Sequence, residues 1–321
     1  MIIQTVKITV IIPIYNAGEY LVNCLEAILN QSYTNFEVIL INDGSKDNSE
    51  EICLSYTAID NRFRYFYQEN KGVSEARNLG IEKCKTKWIC FVDPDDSIDV
   101  NYIKNFIINI SDDKTLLMTD FNRISRNGKH LNILGYKNDT IDLISDRKKL
   151  FSDINYLVGN PFNKLYNLDI INNHNIRFRK GQTLGQDRLF YYEYIKYIDF
   201  LKLSNSSEYN YYYRENSSIT KIHHYDVYLN LIKGENEILN KSEVVANEIK
   251  ERYTSLFFQY LRSLNKFKQS NEDTLNELIH SKEYIHKKYF QSNNKRMLLL
   301  IRLYNLRLYK LMLYVLNQIL K

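Results

Sequence analysis

The chain has 321 residues, of which 44% are hydrophobic and 25% charged, the balance of an ordinary folded protein with one large domain or one domain and an appendage. Its formal net charge of +5 at pH 7 is mild for a chain of this length. We expect no nucleic-acid partner. No apolar run reaches the ~20 residues of a membrane-spanning helix, and the four cysteines form no Cys-x-x-Cys pair, which argues against zinc and thiol-redox sites.

Strand-like and helix-like segments alternate over the first 110 residues. Apolar runs predict the strands, whereas helical spacing of apolar residues or a capping residue predicts the helices. In chain order we predict a strand at 8–12 closed by Pro13, a helix at 20–31, a strand at 36–41, a helix from 47 to about 56, a strand at 63–67, a helix capped by Ser74, and a strand at 88–92. This alternation predicts an α/β fold with a mainly parallel sheet.

The remainder of the chain changes pattern twice. From 111 to 225 the pattern is mixed, with strands predicted at 116–120, 200–203 and 209–213. From residue 226 the apolar residues follow a helical period and there is no proline. We therefore divide the chain into residues 1–110, residues 111–225 and a helical C-terminal region, residues 226–321.

Four polar clusters follow the predicted strands of the first region. They are Tyr15–Asn16, Asn42–Gly44, Gln68–Ser74 and Asp93–Asp96. In parallel α/β sheets ligands bind beyond the carboxyl ends of the strands, and these clusters would meet there. The sequence therefore predicts one site at this edge of the sheet.

Three carboxylates lie within four residues, as Asp93, Asp95 and Asp96. They repel one another unless a cation lies between them, and Mg²⁺ or Mn²⁺ prefers such hard oxygen ligands and bridges to substrate phosphates. The alternative is a solvated acidic turn, with Asp96 or Ser97 capping the next helix. Their position after a buried strand favours the metal site.

Two further residues have both a binding and a structural interpretation. Asp43 can accept a hydrogen bond from a nucleobase or a ribose, or it can belong to an ordinary Asp-Gly turn. Arg77 can hold a diphosphate, or it can pair with Glu75 or Glu82 on the surface. The chain has no Gly-x-Gly-x-x-Gly fingerprint and no P-loop, so hydride transfer and P-loop chemistry lose support.

The order of these motifs resembles the family-2 glycosyltransferases with the GT-A fold. The segments that carry the resemblance are Ile11–Asn16, Asn42–Asp47, Asn70–Gly80 and Phe91–Asp96, with a looser match at 163–166, 176–178 and 186–187. The chain is most similar to bacterial enzymes that build capsular or other surface polysaccharides. The resemblance implies inverting transfer of a hexose or N-acetylhexosamine from a UDP-sugar to a glycan hydroxyl, with regions 1–110 and 111–225 as the nucleotide-sugar and acceptor halves.

The resemblance also implies roles for individual residues. Pro13, Tyr15 and Asp43 would hold the nucleobase and ribose, Arg77 the base or the diphosphate, and Asp93 would lie near the ribose. Asp95 and Asp96 would bind Mn²⁺ or Mg²⁺. His223 or His224 could join the metal, or could lie on the surface.

The family's acceptor-side Glu-Asp pair reads Gln186-Asp187 in this chain. The resemblance makes Asp187 the general base that deprotonates the acceptor hydroxyl. The alternative for Asp187 is an acid at a helix N-terminus, favoured by the helix dipole.

The C-terminal end is strongly basic, since residues 287–321 include eight Lys and Arg and no Asp or Glu. A basic amphipathic helix at 295–321 would lie on the anionic inner leaflet, where a polyprenyl-diphosphate-linked acceptor is found. Alternatively, it packs within the chain or between two copies of a homo-oligomer. The first residues have no basic region or cleavage site, so we expect a cytoplasmic protein, peripheral to the membrane if the tail binds it.

Two other function classes are the alternatives to a glycosyltransferase. A nucleotidyltransferase would need a Gly-rich basic loop near the N-terminus, and Pro13–Ala17 does not provide one. A non-catalytic scaffold that binds sugar nucleotides is the remaining alternative, and the presence of Asp43, Asp95 and Asp187 argues against it.

Overall fold

The structure is a computed structural model that describes residues 6–125, 130–131, 138–145, 159–213, 224–239, 247–267, 271–281, 285, 295–305 and 309–320. The chain forms two compact units. The first comprises Met1–Asp146, Tyr156–Gln182 and Gln186–Ser217, and the second comprises Arg147–Asn155, Thr183–Gly185 and Ser218–Lys321.

The first unit is built on an eight-stranded sheet and a smaller four-stranded sheet. In chain order the strands are β1 (Ile8–Ile14), β2 (Phe36–Asp43), β3 (Phe63–Gln68), β4 (Trp88–Phe91), β5 (Ser97–Ile98), β6 (Thr115–Thr119), β7 (Asn122–Ile124), β8 (His130–Leu131), β9 (Asp139–Asp142), β10 (Lys164–Asn167), β11 (Phe200–Ser204) and β12 (Tyr209–Tyr212). The large sheet has the order β3-β2-β1-β4-β10-β6-β11-β9, and the small one β5-β12-β7-β8.

The large sheet is mostly parallel. β3, β2, β1 and β4 run parallel to one another, as do β6 and β11. β10 is antiparallel to both β4 and β6, and β9 is antiparallel to β11. The predicted mixed, mainly parallel α/β sheet is confirmed.

β1 extends two residues further than the sequence predicted, because Pro13 does not end the strand. Pro13 is buried and pairs in register with Ile41 of β2. The backbone groups of residues 11 and 13 point towards the same neighbouring strand, β4. The last paired residues of these two strands are Ile11 and Phe91. The N–H that proline lacks therefore falls beyond the paired part of β4.

The helices of the first unit are α1 (Gly18–Leu29), α2 (Ser49–Ile59), α3 (Val73–Lys83), α4 (Tyr102–Asn109), α5 (Leu168–Asn173) and α6 (Gln186–Tyr194). α3 packs closely on β1 at Gly80, where an added Cβ would lie 2.3 Å from Ile11 Cγ2. The prediction of Ser74 as the helix cap was wrong. The N–H groups of Glu75 and Ala76 both donate to Gly72 O, so α3 begins before Ser74.

The described part of the C-terminal region is helical, as predicted. Its described helices are α7 (Tyr225–Leu239), α8 (Asn247–Phe267), α9 (Asn271–His280), α10 (Lys295–Asn305) and α11 (Tyr309–Leu320). α8 buries Tyr253, Phe257, Tyr260, Leu261 and Leu264, which recur at helical spacing. Among the described residues no helix combines the length and the apolar character needed to cross a bilayer.

Within the basic tail predicted at 295–321 the structure describes two helical segments, α10 and α11. Residues 306–308 and the side chains of Arg307, Lys310 and Lys321 lie outside the described residues. α10 carries Lys295, Arg296 and Arg302 at exposed positions.

Candidate active site

The loop after β1 and the loop after β2 are joined by hydrogen bonds between side chains and backbone. The Lys46 N–H donates to Asn16 Oδ1 at 2.7 Å, and the Asn16 N–H donates to Ser45 Oγ at 3.0 Å. The Gly18 N–H donates to Asp47 Oδ2 at 2.9 Å. Asn16 has a φ of 49°, a left-handed conformation that asparagine tolerates better than most residues. These bonds fix the backbone at the carboxyl ends of β1 and β2.

Two of the predicted nucleoside residues lie at this end of β1. The side chain of Tyr15 is 51% exposed just beyond the strand, whereas Pro13 is buried within it. Tyr15 thus leaves an aromatic ring accessible at the edge where the loops meet, and an aromatic face can stack on a planar base.

Asp43 is buried and fixes the loop between β3 and α3. Its Oδ1 accepts hydrogen bonds from Gln68 Nε2 at 2.6 Å and from the Lys71 N–H at 2.9 Å, and its Oδ2 accepts from the Gly72 N–H at 2.8 Å. Gly44 follows with a φ of +71°. The carboxylate therefore joins the ends of two neighbouring strands, which an isolated Asp-Gly turn would not do.

Asp96 is buried and bonds to the smaller sheet. Tyr209 OH donates to its Oδ2 at 2.7 Å, and the Tyr212 N–H donates to its Oδ1 at 3.0 Å. Burial, together with the Asp95 and Asp93 carboxylates, raises the pKa of Asp96 well above its ordinary value. Both oxygens of Asp96 thus contribute to holding β12.

The alternative in which Asp96 or Ser97 caps the next helix was wrong. Ser97 opens strand β5, which pairs with β12, and α4 begins only at Tyr102. The pairing partner of this segment lies more than 100 residues away in the chain, at Tyr209 and Asn210, so local sequence carries no sign of it.

Tyr209 is a site residue that the sequence did not predict. Its hydroxyl accepts from the Asp93 N–H at 3.1 Å while it donates to Asp96, so it links the two ends of the acidic run. Its ring stacks on Phe162 with a centroid distance of 3.9 Å and an interplanar angle of 5°. Tyrosine here supplies an apolar packing surface and a buried hydroxyl together.

Arg77 is buried between two carboxylates. Its Nη1 donates to Asp187 Oδ1 at 2.5 Å, and its Nη2 donates to Asp93 Oδ1 at 2.8 Å. The alternative of a surface pair with Glu75 or Glu82 was wrong, because α3 turns Arg77 towards the sheet and only 3% of the residue is exposed. Burial disfavours its charge, but Asp187 and Asp93 outweigh that effect and raise the pKa of Arg77.

Asp187 is the second residue of α6, and its side chain is 16% exposed. Burial raises the pKa of Asp187 to about 6. The positive charges of Arg77 and Lys164 oppose this shift, whereas the carboxylate of Asp93 adds to it. Gln186 Nε2 lies 3.4 Å from Asp187 Oδ2. Asp187 therefore lies at a helix N-terminus, as the alternative interpretation expected, and it also pairs with Arg77. A buried carboxylate with a pKa near neutrality suits general-base catalysis.

Lys164 is a second residue near the site for which no role could be predicted. Its ammonium donates to Asn163 Oδ1 at 2.7 Å and to Asn160 O, and it lies 5.4 Å from the centre of the Tyr191 ring. Burial lowers the pKa of Lys164 well below its ordinary value, and Asp187 opposes that shift. The only sequence signal was its place in the segment 163–166.

The acidic run offers oxygen donors of the kind that Mn²⁺ and Mg²⁺ prefer. Asp95 is partly exposed, whereas both Asp96 oxygens have protein partners. In the part of the chain that the structure describes, no three His, Cys, Asp or Glu side chains form a metal-binding group. The donor set fits an ion bound by one or two carboxylates together with substrate phosphates.

The two predicted histidines are described only in part. His223 lies outside the described residues. His224 Nδ1 lies 3.0 Å from Asp226 Oδ2, and both side chains are about half exposed, at 46% and 59%. This contact belongs to the second unit.

Comparison with known protein families and sequences identifies relatives of the chain. The family model described as glycosyl transferase family 2 matches residues 9–174. Glycosyltransferase GlyG of Streptococcus pneumoniae is 51% identical over 98 residues, which are 30% of this chain and 33% of GlyG. The putative glycosyltransferase EpsH of Bacillus subtilis is 31% identical over 182 residues, 54% of this chain and 51% of EpsH. The chain thus spans about a third to a half of the length of these relatives.

Solved structures share the fold. A crystal structure of Staphylococcus aureus TarS residues 1–349 with UDP-GlcNAc has a TM-score of 0.69 at 20% identity and covers 97% of this chain and 90% of that one. The mannosyltransferase PcManGT from Pyrobaculum calidifontis, with GDP-Man and Mn²⁺, has a TM-score of 0.52 at 10% identity and covers 98% and 88%. The predicted GT-A fold is confirmed.

Proposed function

The chain belongs to glycosyl transferase family 2, and on that premise we propose that it transfers a hexose or an N-acetylhexosamine from a UDP-sugar to a hydroxyl of a glycan acceptor. The observation that carries the proposal is the pair of carboxylates, Asp93 and Asp187, on either side of Arg77. Asp93 follows β4 in the proposed nucleotide-sugar half, and Asp187 is the second residue of α6 in the proposed acceptor half. A donor and an acceptor site would share this boundary.

The donor would bind at the carboxyl ends of β1, β2 and β4. Pro13, Tyr15 and Asp43 are proposed to hold the nucleobase and its ribose, and Asp93 to lie beside the ribose. That Arg77 lies near the diphosphate of the donor remains a prediction. The fold shared with TarS, which was solved with UDP-GlcNAc, supports a UDP-sugar as the donor class.

A divalent cation is proposed to bind at the acidic run, through Asp95 and Asp96. Because Asp96 is buried and Asp95 is partly exposed, Asp95 is the stronger candidate for direct contact. When bound, Mn²⁺ or Mg²⁺ would neutralise the charge that develops on the leaving diphosphate.

Asp187 is proposed to be the general base of an inverting displacement. Its side chain can accept the proton of the acceptor hydroxyl as the acceptor oxygen bonds to the anomeric carbon. Attack from the face opposite the diphosphate inverts the configuration in a single step. The raised pKa of Asp187, about 6, makes it a stronger base than an exposed aspartate while leaving it ionised at neutral pH.

The acceptor is proposed to be a polyprenyl-diphosphate-linked oligosaccharide in bacterial surface polysaccharide synthesis. Helix α10 presents an exposed face on which Leu298 and Leu299 are 45% and 43% exposed and lie between Lys295 and Arg302. Basic residues beside exposed leucines suit a shallow position in an anionic leaflet. The same face could instead pack against a second copy in a homo-oligomer.

The experiment that tests the proposed function is a panel of UDP- and GDP-sugars incubated with the full chain, with and without Mn²⁺. We expect metal-dependent release of UDP from at least one UDP-hexose or UDP-N-acetylhexosamine, faster when a glycan acceptor is added. A non-catalytic scaffold would bind the nucleotide sugar and release no nucleoside diphosphate. Asp95→Asn should lose the Mn²⁺ dependence, whereas Asp113→Asn, an exposed aspartate paired with Lys87, should keep it.

A further inference from the structure

Arg77 connects carboxylates that are 16 and 110 residues away along the chain, Asp93 and Asp187. Each terminal nitrogen of the guanidinium bonds one of them, and only 4% of the Arg77 side chain is exposed. Its Nε is buried with no hydrogen-bond partner among the described residues. A planar guanidinium with both terminal nitrogens bonded fixes the direction of each carboxylate, which a lysine could not do.

The guanidinium of Arg77 lies against two stacked aromatic rings from residues 111–225. Arg77 Cζ is 5.3 Å from the centre of the Phe178 ring, and that ring stacks on Phe190 of α6 at 4.1 Å and 5°. The neighbouring Asn78 holds the Phe178 backbone in both directions, accepting from its N–H and donating to its C=O, each at 2.9 Å. The helix that carries Arg77 and the helix that carries Asp187 are therefore joined through packed rings.

The two oxygens of Asp187 have different surroundings. Oδ1 accepts from Arg77 Nη1 at 2.5 Å, while among the described residues Oδ2 has the longer contact, 3.4 Å, with Gln186 Nε2. We infer that Arg77 is a positioning residue for the transfer reaction: it holds Oδ1 and so presents Oδ2 of Asp187 to the acceptor hydroxyl. The inference rests on the proposed function.

In the step that follows, the acceptor oxygen forms a bond to the anomeric carbon and its proton moves to Asp187 Oδ2. The bond between that carbon and the diphosphate oxygen breaks, and the electron pair leaves with the nucleoside diphosphate. Arg77 touches neither the bond that forms nor the bond that breaks. It acts through Asp187, by orientation and by charge.

The charged and titratable groups around Asp187 predict how Arg77 acts on its proton affinity. Arg77 from α3 and Lys164 from β10 favour the carboxylate, whereas Asp93 after β4 disfavours it. Tyr166, also on β10, is buried nearby. Among these groups Arg77 has the largest effect on the carboxylate. Its replacement by a neutral side chain should raise the pH at which Asp187 becomes an effective base.

The test compares Arg77→Lys and Arg77→Gln with the unaltered chain in a transfer assay between about pH 5 and pH 9. We expect Arg77→Lys to lower kcat by about tenfold or more while the donor KM stays within about threefold, because the charge remains and the orientation is lost. In Arg77→Gln the acidic limb of the pH–rate profile should move up by about one pH unit. Arg62→Lys is the matched control, since Arg62 also pairs with an aspartate and lies over an aromatic ring, Phe36.

A rise in donor KM, with kcat at saturating donor and the acidic limb both unchanged, would make Arg77 a donor ligand and overturn the inference. If both Arg77 variants fail to fold, Phe178→Leu tests the same arrangement. It removes the ring that supports the guanidinium, so Arg77 keeps its charge and loses the packing that directs Nη1 at Asp187 Oδ1. It should lower kcat and keep the donor KM, and an unchanged kcat would also overturn the inference. Absence of transfer by the unaltered chain with every donor would instead refute the proposed function.

Discussion

The hydroxyl of Tyr209 donates a hydrogen bond of 2.7 Å to the buried carboxylate of Asp96, and it accepts one from the backbone of Asp93. We expect Tyr209→Phe to lower the free energy of unfolding by ~1–3 kcal/mol, because the mutation leaves a buried carboxylate oxygen without its donor. Urea denaturation measures the change. Metal-dependent donor hydrolysis should fall as well, since the acidic run loses its fixed backbone.

Tyr211→Phe is the control for this prediction. Tyr211 lies on the same strand, and its ring contacts Phe121 and Phe162. It should change neither stability nor hydrolysis by much. Equal effects of the two substitutions would contradict a specific role for the Tyr209 hydroxyl.

Asp187→Asn should lower the transfer rate by roughly 10²- to 10⁴-fold, the range that a general base contributes, with little change in UDP affinity. A transfer assay with saturating donor measures the rate, and calorimetric titration with UDP measures the affinity. Asp169→Asn is the matched control because Asp169 is also the second residue of its helix, α5. If Asp169→Asn reduced transfer as much, the loss would come from the helix terminus and not from a base.

The transfer rate should rise with pH through about 6. The sign follows from the role of the group: the base must be ionised, burial raises its pKa, and protonation below that value removes its ability to accept a proton. A pH–kcat/KM profile of the unaltered chain checks this. A profile that is flat down to about pH 4.5 would show that no group with such a pKa limits the reaction.

Asp43→Asn should destabilise the chain by ~1–3 kcal/mol and weaken UDP binding, because an amide nitrogen cannot accept the hydrogen bonds that Lys71, Gly72 and Gln68 donate. Urea denaturation and UDP titration measure the two effects. Asp139→Asn, on an exposed position of β9, provides the comparison. Unchanged UDP affinity in Asp43→Asn would remove Asp43 from the proposed donor site.

The exposed face of α10 gives a separate prediction. A Lys295→Glu/Arg302→Glu chain should bind vesicles of anionic lipid at least tenfold more weakly, since each basic residue near such a surface contributes ~1 kcal/mol. Vesicle flotation measures the binding. Lys85→Glu/Lys104→Glu changes the same net charge at exposed positions of the first unit and should have a smaller effect. Equal binding by all three chains would contradict the membrane interpretation.

Four of the five strands of the first region, β1 to β4, could be predicted to within about two residues, because buried parallel strands are continuous apolar runs. The same logic located Asp43 and Asp93, which follow such strands. The partners of Arg77 and Asp96 could not be predicted in this way. Asp187 and Tyr209 lie 110 and 113 residues further along, and their contacts depend on packing that no local pattern records. Lys164 was missed because the local sequence does not distinguish a buried, paired lysine from an exposed one.

The position of strand β10 in the sheet affects the order in which the strands can pair during synthesis. The strand inserts between β4 and β6, antiparallel to both, yet it is translated more than 70 residues after β4. Until residues 164–167 leave the ribosome, β4 is an open edge with unpaired backbone groups, the kind of edge that recruits other chains. A fragment ending near residue 110 would keep that edge permanently. Residues 1–110 therefore depend on a segment from residues 111–225 to close their sheet.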